Sequence, residues 1–253
     1  MNRIQNKLST NKKILSIYFS AGFPNLNDTK SLIEILAKNQ VDMIEIGLPF
    51  SDPLADGPTI QASSTQALKN GMTTEILFNQ IKDIRETVDI PLIIMGYFNP
   101  ILQFGVENFL MKCQETGIDG LIIPDLPLEI YLSEYKELFE SYGIAMIFLI
   151  TPQTSDERIK QIDANSNSFI YMVSSSSVTG SKDSFDDNQL AYFERIAAMN
   201  LKNPQIIGFG ISNKTTFQQA TKHQKGAIIG SSFIQFIANN PISDISKFIQ
   251  NIL

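Results

Sequence analysis

An alternation constrains this chain more than any other feature. Eight short apolar runs rich in branched residues recur along it, each followed by a longer stretch with helical spacing. The runs are Ile14 to Phe19, Met43 to Ile46, Leu92 to Met95, Gly120 to Ile123, Ala145 to Ile150, Phe169 to Val173, Gln205 to Phe209 and Ala227 to Ile229. A strand with one wet face alternates apolar and polar residues; a nearly continuous apolar run instead suits a parallel strand covered on both faces. Between the runs, Thr29 to Lys38 places Leu32, Ile33, Leu36 and Ala37 on one side, with Asn27 or Asp28 as N-cap. Thr74 to Val88 does the same with Ile76, Leu77, Ile81 and Ile84, and Ile130 to Tyr142 and Ser243 to Ile252 repeat the pattern.

Eight β-then-α units within 253 residues predict an α/β fold of the (β/α)8 TIM-barrel type. A doubly wound open sheet is the alternative, but it rarely uses eight units, and no Gly-x-Gly-x-x-Gly follows the first run. No low-complexity linker divides the chain, so residues 1 to 253 read as a single barrel domain. Two units are overlong: Met43 to Leu92 spans 49 residues and Phe169 to Gln205 spans 36. Barrels build their active sites from the loops after the strands, so Gly47 to Gly71 and Ser174 to Asn188 are where function is sought first.

Composition narrows the chemistry. The chain holds one cysteine, Cys113, and one histidine, His223. That excludes an intrachain disulfide and a multi-cysteine zinc site, and leaves any triad or metal site to depend on a histidine flanked by Lys222 and Gln224. His223 reads as a polar helix-end residue and Cys113 as a small packing residue; no metal is expected. A formal net charge of -6, without a basic patch, argues against nucleic acid. No run reaches the 18 or so apolar residues of a membrane span, and Met1 to Lys7 lacks a signal-peptide core, so the expectation is a cytoplasmic protein with no membrane partner.

Carboxylates, hydroxyls and backbone amides are left to do the work. Glu45 sits inside the run Met43 to Ile46, on the face of Met43, near the end that becomes the active face of a barrel. Pairing with a lysine would explain it; partial burial would instead raise its pKa into a range useful for proton transfer. The following loop, Leu48 to Pro58, holds three of the 11 prolines and carries Asp52 and Asp56. A loop this stiff can set Asp56 across a pocket, although Asp before Gly57 also suits a turn. Gly208-Phe209-Gly210 and Gly230-Ser231 close the seventh and eighth runs, where barrels place phosphate against backbone amides and a helix N-terminus. Glycines there also make ordinary turns. Tyr18, Phe50, Tyr97, Phe98 and Tyr171 gather near strand ends and would suit a flat apolar moiety beside the phosphate.

The stretch Ile44 to Gln61, IEIGLPFSDPLADGPTIQ, closely resembles the signature of the tryptophan synthase alpha chain family. Similarity continues through Ala21 to Pro24, Met95 to Pro100, Asp119 to Pro127, Val178 to Gly180, Gly208 to Ser212 and Gly230-Ser231. The resemblance implies a (β/α)8 lyase that cleaves indole-3-glycerol phosphate to indole and glyceraldehyde 3-phosphate by a retro-aldol reaction. It implies no cofactor in this chain, and a pyridoxal-phosphate-dependent beta chain as partner in an α2β2 tetramer, which joins the indole to L-serine. By the same resemblance Glu45 is the catalytic proton carrier and Asp56 accepts the indole N–H. Thr179, Gly180, Gly208, Gly210, Gly230 and Ser231 surround the phosphate and the closing loop, and Tyr97 and Tyr171 line the substrate pocket. Tyr18 and Ile122 stand at pocket positions where the family often has Phe and Leu. Ser177 replaces a frequent Gly and Ser175 an occasional Arg, which bears on loop closure after the sixth strand. A standalone indole-releasing lyase and a non-catalytic barrel that only activates a partner are the competing readings; retention of both carboxylates disfavours the second.

Overall fold

The computed structural model describes residues 2 to 174 and 184 to 253. Its strands follow the apolar runs: β1 (Ile14–Ser20), β2 (Met43–Gly47), β3 (Leu92–Met95), β4 (Gly120–Ile122), β5 in two pieces (Ala145–Ile147 and Leu149–Ile150), β6 (Ile170–Val173), β7 (Gln205–Gly208) and β8 (Gly226–Ile229). All pairings are parallel. The hydrogen-bonded order runs from Ala145–Ile147 through β4, β3, β2, β1, β8, β7 and β6 to Leu149–Ile150. Both ends of that order belong to β5, so the sheet curls until it meets itself as a TIM barrel. The break falls at Phe148, whose carbonyl accepts a bond from the Tyr171 N–H at 2.9 Å and continues the ladder.

Strand alternation divides the core in two. Ile14, Met43, Ile93, Ile122, Ile147, Tyr171, Ile206 and Ile228 point into the barrel. Leu15, Ile17, Phe19, Ile44, Ile46, Leu121 and Ile207 point outward and pack beneath the helices. With apolar residues on both faces, each strand reads as a continuous run. Burying each such side chain contributes roughly 1.5–3 kcal/mol.

Helices cover the outside, with boundaries shaped by local chemistry. The helix Asp28–Lys38 has Asn27 as N-cap, without a side-chain cap bond. The expected helix from Thr74 stops at Ile81 and resumes as a 3-10 turn, Ile84–Glu86. There Arg85 turns inward and donates to the carbonyls of Val88 and Ile90 and, at 2.6 Å, to Asp119. The expected helix from Ile130 starts earlier, at Leu128, and contains a π-turn at Tyr131–Tyr135 before continuing over Lys136–Ser141. The last helix shortens to Ile245–Gln250. Cys113 is buried in the helix Val106–Thr116, as its packing role predicts.

The long segment after β2 crosses the mouth of the barrel before the helix Pro58–Lys69, which starts with proline at its first turn. Asn70 at its end donates to the carbonyls of Gly22 and Pro24, both at 2.9 Å, tying the β1 and β2 loops together.

Candidate active site

Register assembles the site. Ser16 lies opposite Met43 and Tyr18 opposite Glu45 on β1 and β2, so all four side chains share the inner face. Glu45 is fully buried. Its Oε1 accepts a hydrogen bond from the Ser16 hydroxyl at 3.0 Å, and its Oε2 has no hydrogen-bond partner among the described residues. Burial pushes the Glu45 carboxyl up to about 8, with the Ser16 bond pulling the other way.

Asp56 is placed differently. The Tyr97 hydroxyl donates to its Oδ2 at 3.1 Å, and the Ala55 N–H donates to the Tyr97 oxygen at 2.8 Å. The loop is thereby held by the residue that follows β3. Burial raises the Asp56 carboxyl to about 6, and the Tyr97 bond opposes that rise. Burial thus raises both carboxyls, that of the fully buried Glu45 further than that of Asp56.

A cleft opens here, lined by Tyr18, Leu48, Phe50, Pro53, Asp56 and Tyr97, among others. Phe50 and Tyr97 pack at 5.3 Å between ring centroids. Phe50 itself is clamped, because its N–H donates to the Ser64 hydroxyl and that hydroxyl donates to its carbonyl, both at 3.0 Å. Glu45 does not line this cleft. Its register partner Tyr18 does, and the Tyr18 hydroxyl reaches to 2.2 Å from where a Cβ on Gly47 would sit. Only glycine leaves room for that ring. Desolvation and the nearby Asp56 and Glu45 raise the Tyr18 phenol well above its ordinary value, so it stays neutral.

Tyr171 repeats the device across the barrel. Its hydroxyl lies 2.0 Å from where a Cβ on Gly208 would be. Gly208 is thus required by the tyrosine beside it, a reason the sequence pattern did not suggest. Ile122 lies in the same interior layer, fully buried. Beyond β7, Phe209 at φ 71° and Gly210 at φ 77° make a left-handed turn, which the Ser174 hydroxyl holds by donating to the Phe209 carbonyl at 2.8 Å. Gly230 caps the helix Ser231–Asn239 without a side-chain bond to its first amides. The Ser232 hydroxyl donates to the Ser212 carbonyl at 3.4 Å, linking the β7 and β8 loops. Thr179 and Gly180 lie outside the described residues, as do Ser175 and Ser177.

Asp56, Tyr18 and Tyr97 therefore share one cleft, with Glu45 buried behind it as the register partner of Tyr18, Tyr171 and Ile122 in the barrel interior, and Gly210, Gly230 and Ser231 at the β7 and β8 ends. Sequence reasoning missed Ser16 and the steric role of Gly47. The signal for Ser16 was present, as the one small polar side chain in the run Ile14 to Phe19.

A parallel barrel with two unlike carboxylates and tyrosines at the C-terminal ends of its strands is the architecture of a TIM-barrel enzyme that works by proton transfer. The tryptophan synthase alpha chain family model matches residues 4–252. A tryptophan synthase alpha chain from Flavobacterium psychrophilum is 71% identical over 252 residues, covering 100% of both chains, and one from Flavobacterium johnsoniae is 69% identical with the same coverage. A crystal structure of tryptophan synthase subunit alpha from Legionella pneumophila superposes with a TM-score of 0.90 at 32% identity, covering 100% of this chain and 97% of that one. The chain belongs to the tryptophan synthase alpha chain family.

Proposed function

We propose that the barrel cleaves indole-3-glycerol phosphate as a carbon–carbon lyase, with Glu45 carrying the proton to indole C3 and Asp56 accepting the indole N–H. The observation that carries this reading is the placement of the two carboxyls: Glu45 is buried inside the barrel beside Ser16, and Asp56 lines the cleft with the Tyr97 hydroxyl on its Oδ2. The protonated Glu45 delivers its proton to C3, the carbon that bears the glycerol phosphate chain. The ionised Asp56 stabilises positive charge as it develops on the ring. As the carbon–carbon bond breaks, the hydroxyl on the departing chain becomes the aldehyde and its proton returns to Glu45. Histidine has no part in this scheme.

Tyr18, Phe50 and Tyr97 supply an apolar wall for the indole, with Tyr171 and Ile122 beneath. The turn at Gly208 to Gly210 and the start of the helix at Gly230-Ser231 suit the phosphate, because free helix N-terminal amides and the helix dipole favour an anion without a basic patch. Thr179 and Gly180 complete that end of the substrate in this reading.

The family's standard partner is a tryptophan synthase beta chain, and an α2β2 assembly in the cytoplasm is the state we assign. Pyridoxal phosphate belongs to that beta chain, where it supports condensation of indole with L-serine. Leu54, 92% exposed on the loop that carries Asp56, is an apolar side chain that such a contact would cover.

The substitution Glu45→Gln tests the assignment. It keeps the shape and is expected to cut indole release by at least a thousandfold while leaving glycerol phosphate binding within a few-fold of the parent. Turnover within tenfold of the parent would remove Glu45 from the chemistry. Asp56→Asn, assayed in parallel, is expected to lose at least a hundredfold, because a neutral amide stabilises the developing charge poorly.

A further inference from the structure

Among the polar groups that the mechanism above leaves unused, Ser16 has the most specific placement. It is fully buried in the interior of the barrel, in a run of β1 otherwise built of Ile14, Leu15 and Ile17. A buried hydroxyl is costly unless it is bonded, and Ser16 donates to Glu45 Oε1 at 3.0 Å. That bond is the one hydrogen bond to the Glu45 carboxyl among the described residues, because Oε2 is buried without a partner. The two oxygens of Glu45 are therefore unequal.

We propose that Ser16 is a positioning residue for Glu45: by donating to Oε1 it reserves that oxygen as an acceptor, so that the transferable proton resides on Oε2. The inference rests on the reading of Glu45 as the proton carrier and deepens it. A carboxylic acid has one proton and two oxygens. With Oε1 engaged as an acceptor, the proton sits on the oxygen with no competing partner, free to pass to substrate carbon. When Oε2 has given up its proton, the Ser16 bond to the carboxylate strengthens, because hydrogen bonds to ionised groups are stronger than neutral ones. Ser16 thus also limits how far burial raises the proton affinity of Glu45. The other ionisable groups facing this carboxyl are Tyr18 from β1 and Tyr171 from β6, with Asp56 beyond them. Both phenols are driven upward by burial and stay neutral across the working range, so neither masks a change at Glu45.

The test compares Ser16→Ala and Ser16→Thr with the parent in two measurements on the full chain. The first is an infrared titration of the protonated carboxyl, assigned to Glu45 by its loss in Glu45→Gln. The second is the pH dependence of kcat and kcat/KM for indole release. Ser16→Ala is expected to move the Glu45 titration upward by about one pH unit, as expected for loss of a bond to a charged group. It should also lower kcat about tenfold with KM within twofold, and Ser16→Thr, which keeps the hydroxyl, should restore most of both. An unmoved titration in Ser16→Ala overturns the proposal, as does a shifted titration with kcat unchanged. An active Glu45→Gln overturns the proton-carrier reading instead, and the titration separates that outcome from a failure of Ser16.

Discussion

Glu45 and Asp56 belong to one stretch of chain, and the fold puts their two carboxyls in different surroundings. Glu45 is sealed inside the barrel with one hydroxyl for company; Asp56 sits in a loop and takes a bond from Tyr97. The sign of each effect on stability follows. Glu45 binds its proton more tightly in the folded state, so the folded chain holds more protons than the unfolded one between about 4.5 and about 8, and stability falls as pH rises through that window. Glu45→Gln removes the titration. It should therefore melt above the parent at pH 8, by an amount on the order of 2–5 kcal/mol, and converge with it below pH 4.5 in calorimetric scans. A mutant less stable than the parent at pH 8 would show that the glutamate contributes favourable packing that outweighs its desolvation. Tyr97→Phe takes away the donor that holds Asp56 down, so Asp56 should titrate above its present value of about 6 and activity should be lost from the acid side first. Gly47→Ala places a methyl 2.2 Å from the Tyr18 hydroxyl. It is expected to cost about 1–3 kcal/mol, and pairing it with Tyr18→Phe should recover little of that, because the ring carbons Cζ and Cε2 remain 2.6 and 2.9 Å away. Chemical denaturation of the two variants checks both.

The elements divide between those that hold the barrel together and those that shape its mouth. At the N-terminal end of the strands, Asp119 accepts from Arg85 at 2.6 Å, from Arg3 at 3.1 Å and from the Leu92 N–H at 3.0 Å. Asp119 is itself buried, so Asp119→Ala strands a guanidinium and a strand amide. It should lower stability by about 3 kcal/mol while leaving kcat of the folded enzyme near the parent value, because the site lies at the opposite end. Strands β1 to β4 were legible because residues covered on both faces are apolar at most positions, Ser16, Ser20 and Glu45 being the polar exceptions. The break in β5 was not, since Phe148 keeps the apolar pattern and simply turns outward to lie 5.3 Å from Tyr131. The π-turn at Tyr131–Tyr135 was equally hidden: it adds a residue to one turn without altering which side chains are apolar. In the site, a charge inside an apolar run marked Glu45, and the motif around Asp56 marked the second carboxylate. The Ser16 contact was out of reach because it joins residues 29 apart through a strand register that only the tertiary fold sets. Gly208 read as a phosphate-site or turn glycine, and Gly47 only as the start of the long segment after β2, until the tyrosines beside them showed what they make room for.

On the scale of the whole molecule, the barrel carries Glu45 on β2 and Asp56 on the loop that follows it, with Leu54 exposed on that same loop. A tryptophan synthase beta chain added to the pure alpha chain should raise the rate of indole release, and Leu54→Asp should weaken that response without altering the basal rate; full turnover that is unchanged by beta chain would instead mark a standalone lyase. The central claim is that the two carboxylates work in opposite protonation states. It is tested most directly by the pH dependence of kcat/KM for indole release by the isolated chain. A bell is expected, its acid limb near 6 as Asp56 ionises and its alkaline limb near 8 as Glu45 loses its proton. A rate that keeps rising through pH 9, with no alkaline limb, would contradict the account, because it would mean that a protonated Glu45 is not what the reaction uses.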